Sequence, residues 1–406
     1  MVSDLVKSLS VARAARGAKS APPALPRARL LVLASPGAAP PAPSGGGMSE
    51  DSRAGGGEGA QGAIEAALEA EVLRRLASFR ARLGRELGAL FDELAARLRL
   101  FEGEPGEGYF SHPTALPVLE LPLWVATRPG GPALALDAGS SALPPLAIDL
   151  AEAAAVGYLH VRIEDDLLDE GVGEPGATVL LSGALFARHQ ALLARSLPGG
   201  SAFWGLFEEV WLGYGEAMLL ERRLHRAAGP RDGATFRRVL ARSRPLVLPA
   251  AAALFALSQA EHLDALEEFV SALVAAHQLF ADLLHAEKDR GFGNTTYVLS
   301  RIWALAEADA ASPSGADVSD GGPCRAQEMR SAAALRARLF ARGGFDAILE
   351  EARCELARAE VAAAALGLPE AARFCRERVQ YMVAIQRRVF LAFFSALAGE
   401  PAVAPR

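Results

Sequence analysis

The chain has 406 residues, of which 51% are hydrophobic and 22% are charged, and its formal net charge at pH 7 is −6. This length suits one large domain or two ordinary ones. The acidic balance, without a basic stripe, argues against a nucleic-acid-binding surface. Ala, Leu, Arg and Glu dominate, and these residues are strong helix formers. Because β-branched residues are also sparse, we predict an all-α fold.

Residues 1–60 differ in composition from the rest of the chain. They are rich in Ala, Pro, Gly, Ser and Arg, as in SPGAAPPAPSGGG. Such a segment cannot bury enough apolar surface to fold. We therefore predict a disordered, low-complexity tail over 1–60 and a single all-helical domain over 61–400. Met48, followed by SEDS, is an alternative to Met1 as the start of translation.

Apolar residues recur at steps of three and four along most of the remaining chain, which predicts helices. One or two helices are expected over 63–101, followed by a loop over 103–117 and an irregular segment over 117–141. The next helix runs from about Leu146 to Glu170. Further helices are predicted over 177–196, 201–227, 233–245, 247–260, 262–290, 295–310, 326–342, 344–365, 369–375 and 377–398. The segment 311–323 is a polar loop.

Cysteine usage and hydropathy bear on where the protein resides. Cys324, Cys354 and Cys375 have no metal-binding spacing and are odd in number. They are typical of ordinary thiols in a reducing compartment, so a cytoplasmic protein is expected. The longest apolar run, 245–257, is short and carries two prolines, so no integral membrane segment is expected.

An acidic cluster closes the helix predicted up to Glu170. The segment 163–171 reads IEDDLLDEG and places five carboxylates within seven residues. Asp165 and Asp169 share a helical face, and Asp166 lies close by. Like charges at this spacing, at the C-terminal end of a helix, destabilise it. Either this is a solvated helix end, or the carboxylates bind a hard cation such as Mg²⁺.

A second polar stripe lies on the helix predicted over 262–290. Gln278, Asp282, His285 and Asp289 follow one another at steps of four, three and four, so they share one helical face. Apolar residues surround them on more than one side. An ordinary amphipathic surface helix would explain this pattern less well than a stripe that lines a cavity or faces another polar group.

The first cluster has the form D-D-x-x-D and resembles the first aspartate-rich motif of the class I isoprenoid synthases. That family includes trans-prenyl diphosphate synthases, squalene and phytoene synthases, and class I terpene cyclases. The resemblance covers roughly residues 65–398. It implies a helical bundle around a central cavity, in which Mg²⁺ ions, more than one in number, bridge two acidic helices and the substrate diphosphate.

The second stripe departs from the family's versions of the second motif. Prenyl synthases have Q-x-x-D-D-x-x-D, of which this chain keeps Gln278 and Asp282. Ala281 and His285 replace the other two aspartates. Microbial terpene cyclases have N-D-x-x-S-x-x-x-E, of which the chain keeps an aspartate and a final acid at Asp289. The capacity of this second site for metal is therefore open.

Basic residues around the motifs also differ from those of chain-elongating synthases. Those enzymes place paired arginines soon after the first motif, whereas this chain has no basic residue there before Arg188. The site for isopentenyl diphosphate is therefore expected to be absent. The segment RSRPLVLP (242–249) is similar to the family's Lys-Thr element, with Arg242 and Ser243 in its place. GNTTY (293–297) is similar to the family's Gly/Thr loop.

The resemblance implies roles for particular residues. Catalytic metal ligands are expected at Asp165, Asp166, Asp169, Asp282 and Asp289. Basic residues that would hold the substrate diphosphate are Arg238, Arg242, Lys288 and Arg290. Further polar contributors from the second stripe are Gln278 and His285.

The main expectation is a Mg²⁺-dependent, terpene-synthase-like enzyme that ionises an allylic prenyl diphosphate. One alternative is a prenyl diphosphate synthase or a head-to-head prenyltransferase. Another is a non-catalytic partner subunit or prenyl-lipid binder with the same fold, which the altered second motif suggests. The resemblance also implies that the chain could form a homodimer, and no nucleic-acid partner is expected.

Overall fold

The fold is known from a computed structural model, which describes residues 55–103, 106, 108–112, 115–128, 143–169, 175–226, 231–292, 295–310, 335, 339–340 and 343–398. These residues contain helices and no strand, which confirms the all-α prediction. The α-helices are α1 (Gly55–Arg82), α2 (Arg85–Leu98), α3 (Glu120–Ala126), α4 (Pro145–Asp169), α5 (Pro175–Ser196), α6 (Phe203–Arg226), α7 (Gly233–Leu240), α8 (Leu248–Ala256), α9 (Leu263–Phe292), α10 (Tyr297–Ala310), α11 (Gly344–Ala365) and α12 (Pro369–Ala398). Two 3₁₀ segments span Ala241–Val247 and Ala260–His262.

Two long helices, α4 and α9, occupy the centre of the bundle. α4 packs along α5 and also contacts α1, α3 and α8, whereas α9 packs along α11. The centre of α4 is a run of small residues, and Ala151, Ala153 and Ala155 are completely buried. Small side chains let neighbouring helices approach closely, so α4 can be surrounded on several sides. Both acidic motifs therefore lie on helices that the core holds in place.

Local sequence signals explain where several helices begin and end. Asp232 caps α7, because its side chain accepts a hydrogen bond of 2.7 Å from the backbone N–H of Thr235. Gly367, with a φ of 69°, turns the chain between α11 and α12, a conformation that glycine adopts without strain. Pro369 follows as the first residue of α12, where its missing N–H costs nothing.

Three predicted boundaries were wrong. The helix predicted over 233–245 ends at Leu240 and continues as a 3₁₀ segment that contains Pro245, because proline cannot donate the helical hydrogen bond. The segment predicted to be irregular contains α3, whose residues from Leu121 to Ala126 are all buried. The two helices predicted after 368 are one, α12, because no Gly or Pro interrupts the chain there. Most of the predicted helix 326–342, and residues 1–54, lie outside the described residues.

Within the described residues, three helical stretches are long and apolar enough to cross a membrane by length and composition, whereas the sequence analysis expected no integral membrane segment. They are Pro175–Ser196, Gly233–Ala256 and Ala260–Arg290, and 33%, 61% and 67% respectively of the apolar 18-residue window of each is buried inside the protein. Packing explains the last two, since a helix enclosed by other helices is apolar on most faces. Of the three cysteines, Cys375 is buried and Cys354 exposed, both as free thiols, and Cys324 lies outside the described residues.

Candidate active site

Arginines surround the acidic cluster at the end of α4. Arg162, one turn earlier on the same helix, places Nη2 2.9 Å from Asp166 Oδ1 and Nη1 3.6 Å from Asp165 Oδ2. Arg97, near the end of α2, places Nη1 2.5 Å from Asp166 Oδ2. Asp166 is buried, and its burial raises the pKa of its carboxyl although both arginines oppose the shift. Asp166 is therefore a buried carboxyl group with two arginine partners, which a solvated helix end would not provide.

A single guanidinium joins this cluster to the polar stripe on α9. Arg242, in the 3₁₀ segment, donates from Nη1 to Asp165 Oδ1 at 3.1 Å and to Glu221 Oε2 at 2.6 Å. Its Nη2 donates to Gln278 Oε1 at 3.0 Å. Gln278 in turn donates from Nε2 to Asp282 Oδ1 at 2.6 Å. The two acidic motifs therefore face one another across one polar layer, with Arg242 in its centre.

Several carboxyl groups on and near α9 share this layer. Burial raises the pKa of Asp282 to about 7, and the nearby charge of Asp289 raises it further, whereas Gln278 and Arg242 act in the opposite direction. Burial also raises the pKa of Glu221. Arg231, just before α7, lies within the field of these same carboxylates, and its Nη2 is buried without a hydrogen-bond partner. The layer therefore contains buried groups of both signs.

His285 follows Asp282 by three residues on α9, so the two side chains lie on the same side of this helix. Burial lowers the pKa of His285 to about 4, and the charges of Lys288 and Arg162 lower it further, so the imidazole is neutral at pH 7. A neutral imidazole can bind a metal or accept a hydrogen bond, so it is chemically competent where the family has an aspartate.

The other predicted site residues lie at the ends of α4 and α9 and on α7. Asp169 is the last residue of α4, and its side chain lies outside the described residues. Lys288, Asp289 and Arg290 follow along the last turns of α9 and are partly buried. Arg238 is exposed on α7. Within the described ranges, it makes no hydrogen bond or ion pair with either motif.

Sequence reasoning missed four charged residues of this layer. Arg162 could have been found, because it precedes Asp165 and Asp166 by three and four residues, the spacing of helical ion pairs. Arg97, Glu221 and Arg231 come from other helices or loops, and only the tertiary fold brings them to the motifs. The aromatic residues of α6 belong to the core, where Trp211 packs edge-on against Phe186 of α5 with ring centroids 4.9 Å apart.

The space next to this layer is small. A cavity of about 30 Å³ lies between Tyr158 of α4 and His277 of α9, and Phe110 also lines it. Tyr158 is two helical turns before Asp165, and His277 precedes Gln278. This cavity has one lining residue from α4 and one from α9, and the rest of its lining comes from the segment before α3.

The carboxylates suit a hard divalent cation by their chemistry, because oxygen ligands are those that Mg²⁺ and Ca²⁺ prefer. In the described part of the chain, however, no three His, Cys, Asp or Glu side chains are arranged to hold a metal ion. Arg242 occupies the space between Asp165 and Asp282, so a metal that bridges the two motifs requires this side chain to move.

No family model matches the chain, and a comparison with curated proteins also found no match. Solved structures do match. A polyprenyl synthase from Caulobacter crescentus CB15, complexed with calcium and isoprenyl diphosphate, has a TM-score of 0.58 and 16% identity, over 78% of this chain and 96% of that one. The chain has the fold of the class I isoprenoid synthases.

Two further structures with this isoprenoid-synthase fold match almost over their full length. A decaprenyl diphosphate synthase from Rhodobacter capsulatus has a TM-score of 0.51 and 16% identity, over 77% of this chain and 99% of that one. A geranylgeranyl pyrophosphate synthase from Corynebacterium glutamicum, complexed with calcium and isoprenyl diphosphate, has a TM-score of 0.51 and 17% identity, over 76% and 94%. At these identities the likeness establishes the fold, and the activity has to be argued from the site.

Proposed function

We propose that this chain is an isoprenoid synthase that binds an isoprenyl diphosphate between α4 and α9 and ionises it. The observation that carries the proposal is the layer in which Arg242 joins Asp165 to Gln278 and, through it, to Asp282. Acidic side chains on two facing core helices are costly to bury without a ligand that needs them. A substrate diphosphate with its counter-cations is such a ligand.

Divalent cations would be held by Asp165, Asp166 and Asp169 on α4 and by Asp282 and Asp289 on α9. Bound there, the metal would act as a Lewis acid that neutralises the charge on the leaving diphosphate. Arg242 carries the same sign of charge, so it would swing from the carboxylates to the diphosphate oxygens. The bond between the allylic carbon and oxygen breaks, and the diphosphate takes the electron pair.

The apolar gap between Tyr158 and His277 would receive the isoprenyl chain next to the reacting carbon. Exclusion of water protects an allylic cation from capture. His277 is suited to this apolar role, because burial lowers its pKa to about 3 and keeps the ring uncharged. A chain of several isoprene units is larger than the gap, so the surrounding side chains would have to move apart when the substrate binds.

Prenyl transfer to a second substrate is the first candidate reaction. It is supported by the fold comparisons, because the matched structures are those of polyprenyl, decaprenyl and geranylgeranyl diphosphate synthases. In that reaction the double bond of the second substrate attacks the allylic cation, a carbon–carbon bond forms, and a proton is lost.

Conversion of a single substrate, as in a terpene cyclase, is the second candidate. The contacts of Arg188 favour this reaction. Arg188 is the first basic residue after D-D-x-x-D, so it is the residue that a second diphosphate would need. Arg188 instead donates two hydrogen bonds to the buried Glu152 on α4, at 3.0 Å from Nε and by a shorter contact from Nη2. It is therefore committed to the core.

The test is an incubation of the full chain with Mg²⁺ and geranyl, farnesyl or geranylgeranyl diphosphate, each with and without isopentenyl diphosphate. Prenyl transfer predicts diphosphate release and a longer product only when isopentenyl diphosphate is present. Cyclisation predicts release from one substrate alone. No release under any condition, with retained binding of the diphosphate, would contradict both and support the non-catalytic alternative.

A further inference from the structure

A second cavity lies away from the acidic motifs, between α1, α3, α12 and the segment before α3. Its volume is about 450 Å³, and no residue of α4 or α9 lines it. Cavities that bind small molecules commonly have this size and combine apolar walls with a few polar groups. Here Trp124 of α3 and Phe374 of α12 form a wall, with ring centroids 6.0 Å apart.

The carboxyl groups of Glu65 and Glu120 line one side of this cavity, and Glu69, which does not line it, is buried one helical turn from Glu65. Glu65 and Glu69 lie on successive turns of α1, and Glu120 is the first residue of α3. Glu65 Oε1 accepts a hydrogen bond of 3.1 Å from Trp124 Nε1. Glu69 Oε2 accepts hydrogen bonds from the backbone N–H of Gly106 at 2.7 Å and from Ser111 Oγ at 2.8 Å.

Two oxygens of this group have no donor. Glu69 Oε1 and Glu120 Oε2 are both buried without a hydrogen-bond partner. The backbone of Gly108 lies close to Glu69 Oε1. A Cβ atom built on this glycine would be 2.7 Å from that oxygen. Unpartnered buried acceptors are rare and costly. Because Glu120 lines the cavity, its free oxygen indicates a donor that belongs to a ligand.

The charges around the cavity favour a positively charged ligand. Burial raises the pKa of Glu120 to about 8, and the charges of Glu65 and Glu69 add to this shift. Among the described residues, no arginine or lysine lies within ion-pair distance of Glu69 or Glu120, and Arg373 reaches Glu65 only at 4.0 Å. The charged and titratable groups that line the cavity are Glu65 on α1, His112 before α3, Glu120 on α3, and Glu370, Arg373, Glu377, Arg378 and Tyr381 on α12.

We propose that this cavity binds an organic cation, an alkylammonium group that donates to Glu120 and Glu65 while its apolar body packs against Trp124 and Phe374. An ammonium supplies three donors, and aromatic faces attract it in addition. A bare metal ion fits less well, because the cavity is much larger than an ion and the described side chains form no metal-holding group. The cavity adjoins the gap between Tyr158 and His277, because Phe110, His112, Ala115 and Leu116 line both. The proposal does not require the reaction proposed for α4 and α9.

The test is isothermal titration calorimetry of the full chain with hexylammonium, using hexanol and hexanoate as neutral and anionic controls of equal length. Hexylammonium is expected to bind more tightly than either. At pH 7 its binding should release about one proton, since Glu120 is mostly protonated when the cavity is free and ionised when the cation is bound. Two buffers with different ionisation enthalpies measure that proton.

Glu120→Gln keeps the shape of the side chain and removes the ionisable group. It should weaken hexylammonium binding by about tenfold and abolish the proton release. Glu377→Gln is the matched control, because its carboxyl is 62% exposed at the rim, and binding should stay within about twofold. The proposal would be overturned if hexanol bound equally well, or if hexanoate bound more tightly through Arg378. It would also be overturned if no probe bound, or if hexylammonium bound without proton release.

Discussion

Replacing Arg242 by Met should destabilise the protein in a pH-dependent way. The substitution keeps the length of the side chain and removes its charge. It leaves Asp165, Glu221 and Gln278 without the three hydrogen bonds of 2.6–3.1 Å that Arg242 now donates. The carboxyls of Asp165 and Glu221 then face each other, together with Asp282, without the positive charge that separates them.

The magnitude follows from the burial of the groups involved. Loss of one partner from a buried ion pair costs about 3–5 kcal/mol. The Arg242, Glu221 and Asp165 side chains are 16%, 12% and 26% exposed, so the lower end of this range applies, about 3 kcal/mol at pH 8. At pH 5 the loss should fall to about 1 kcal/mol, because Glu221, whose pKa is already raised, takes up a proton at little cost.

Urea denaturation followed by far-ultraviolet circular dichroism at both pH values measures these losses. The matched control is Arg244→Met, two residues along the same 3₁₀ segment. Arg244 pairs at the surface with Glu209 and Glu267, so its loss should cost less than about 1 kcal/mol at either pH. Equal losses for the two variants, or a loss for Arg242→Met that does not change with pH, would refute the central place given to Arg242.

Two further predictions concern neighbouring features. Asp282→Asn should raise the free energy of unfolding by about 2 kcal/mol at pH 8 and leave it nearly unchanged at pH 4. The reason is that the raised pKa of Asp282 makes the wild-type protein lose stability as pH rises from about 4 to 7. A difference between variant and wild type that does not change with pH would contradict this. Gly157→Ala should lower the free energy of unfolding by about 2 kcal/mol, because the new Cβ would lie 2.8 Å from the His189 ring. That ring cannot easily move away, since it forms a hydrogen bond with Ala153 O. Gly183→Ala, with free space around it, should be neutral or stabilising in the same thermal melts, and equal destabilisation of both glycine variants would count against the packing argument.

Much of the fold could be predicted from the sequence. The helical periodicity located α4, α5, α6, α9 and α11 to within a few residues, because these helices bury one continuous apolar face. The prediction failed at α3, a short helix in which every residue after Glu120 is apolar and buried, so that no polar face reveals its period. It also failed at the 3₁₀ segment that carries Arg242, because helical propensity does not specify how a chain continues past Pro245.

The candidate site could be predicted only in part. The carboxylates were recognisable because they lie on two helices at helical spacing. The charged residues that surround them were not, because Arg97, Glu221 and Arg231 are distant in sequence and belong to no motif. The order of ion pairs around Asp165 and Asp166 depends on how α2, α6 and the 3₁₀ segment pack against α4. The resemblance indicated where a metal would bind, and the fold shows that an arginine lies between the two motifs.

The most direct test of the account is Mg²⁺-dependent release of diphosphate by the full chain and two aspartate variants of α4. Asp165→Asn removes a proposed metal ligand, and Asp149→Asn changes a residue of equal exposure on the same helix, 25% against 26%, that pairs with Arg75 away from the motifs. The account predicts that Asp165→Asn abolishes release from an isoprenyl diphosphate while circular dichroism shows an intact fold, and that Asp149→Asn keeps wild-type turnover. Unchanged turnover in Asp165→Asn, or equal loss in both variants, would contradict it.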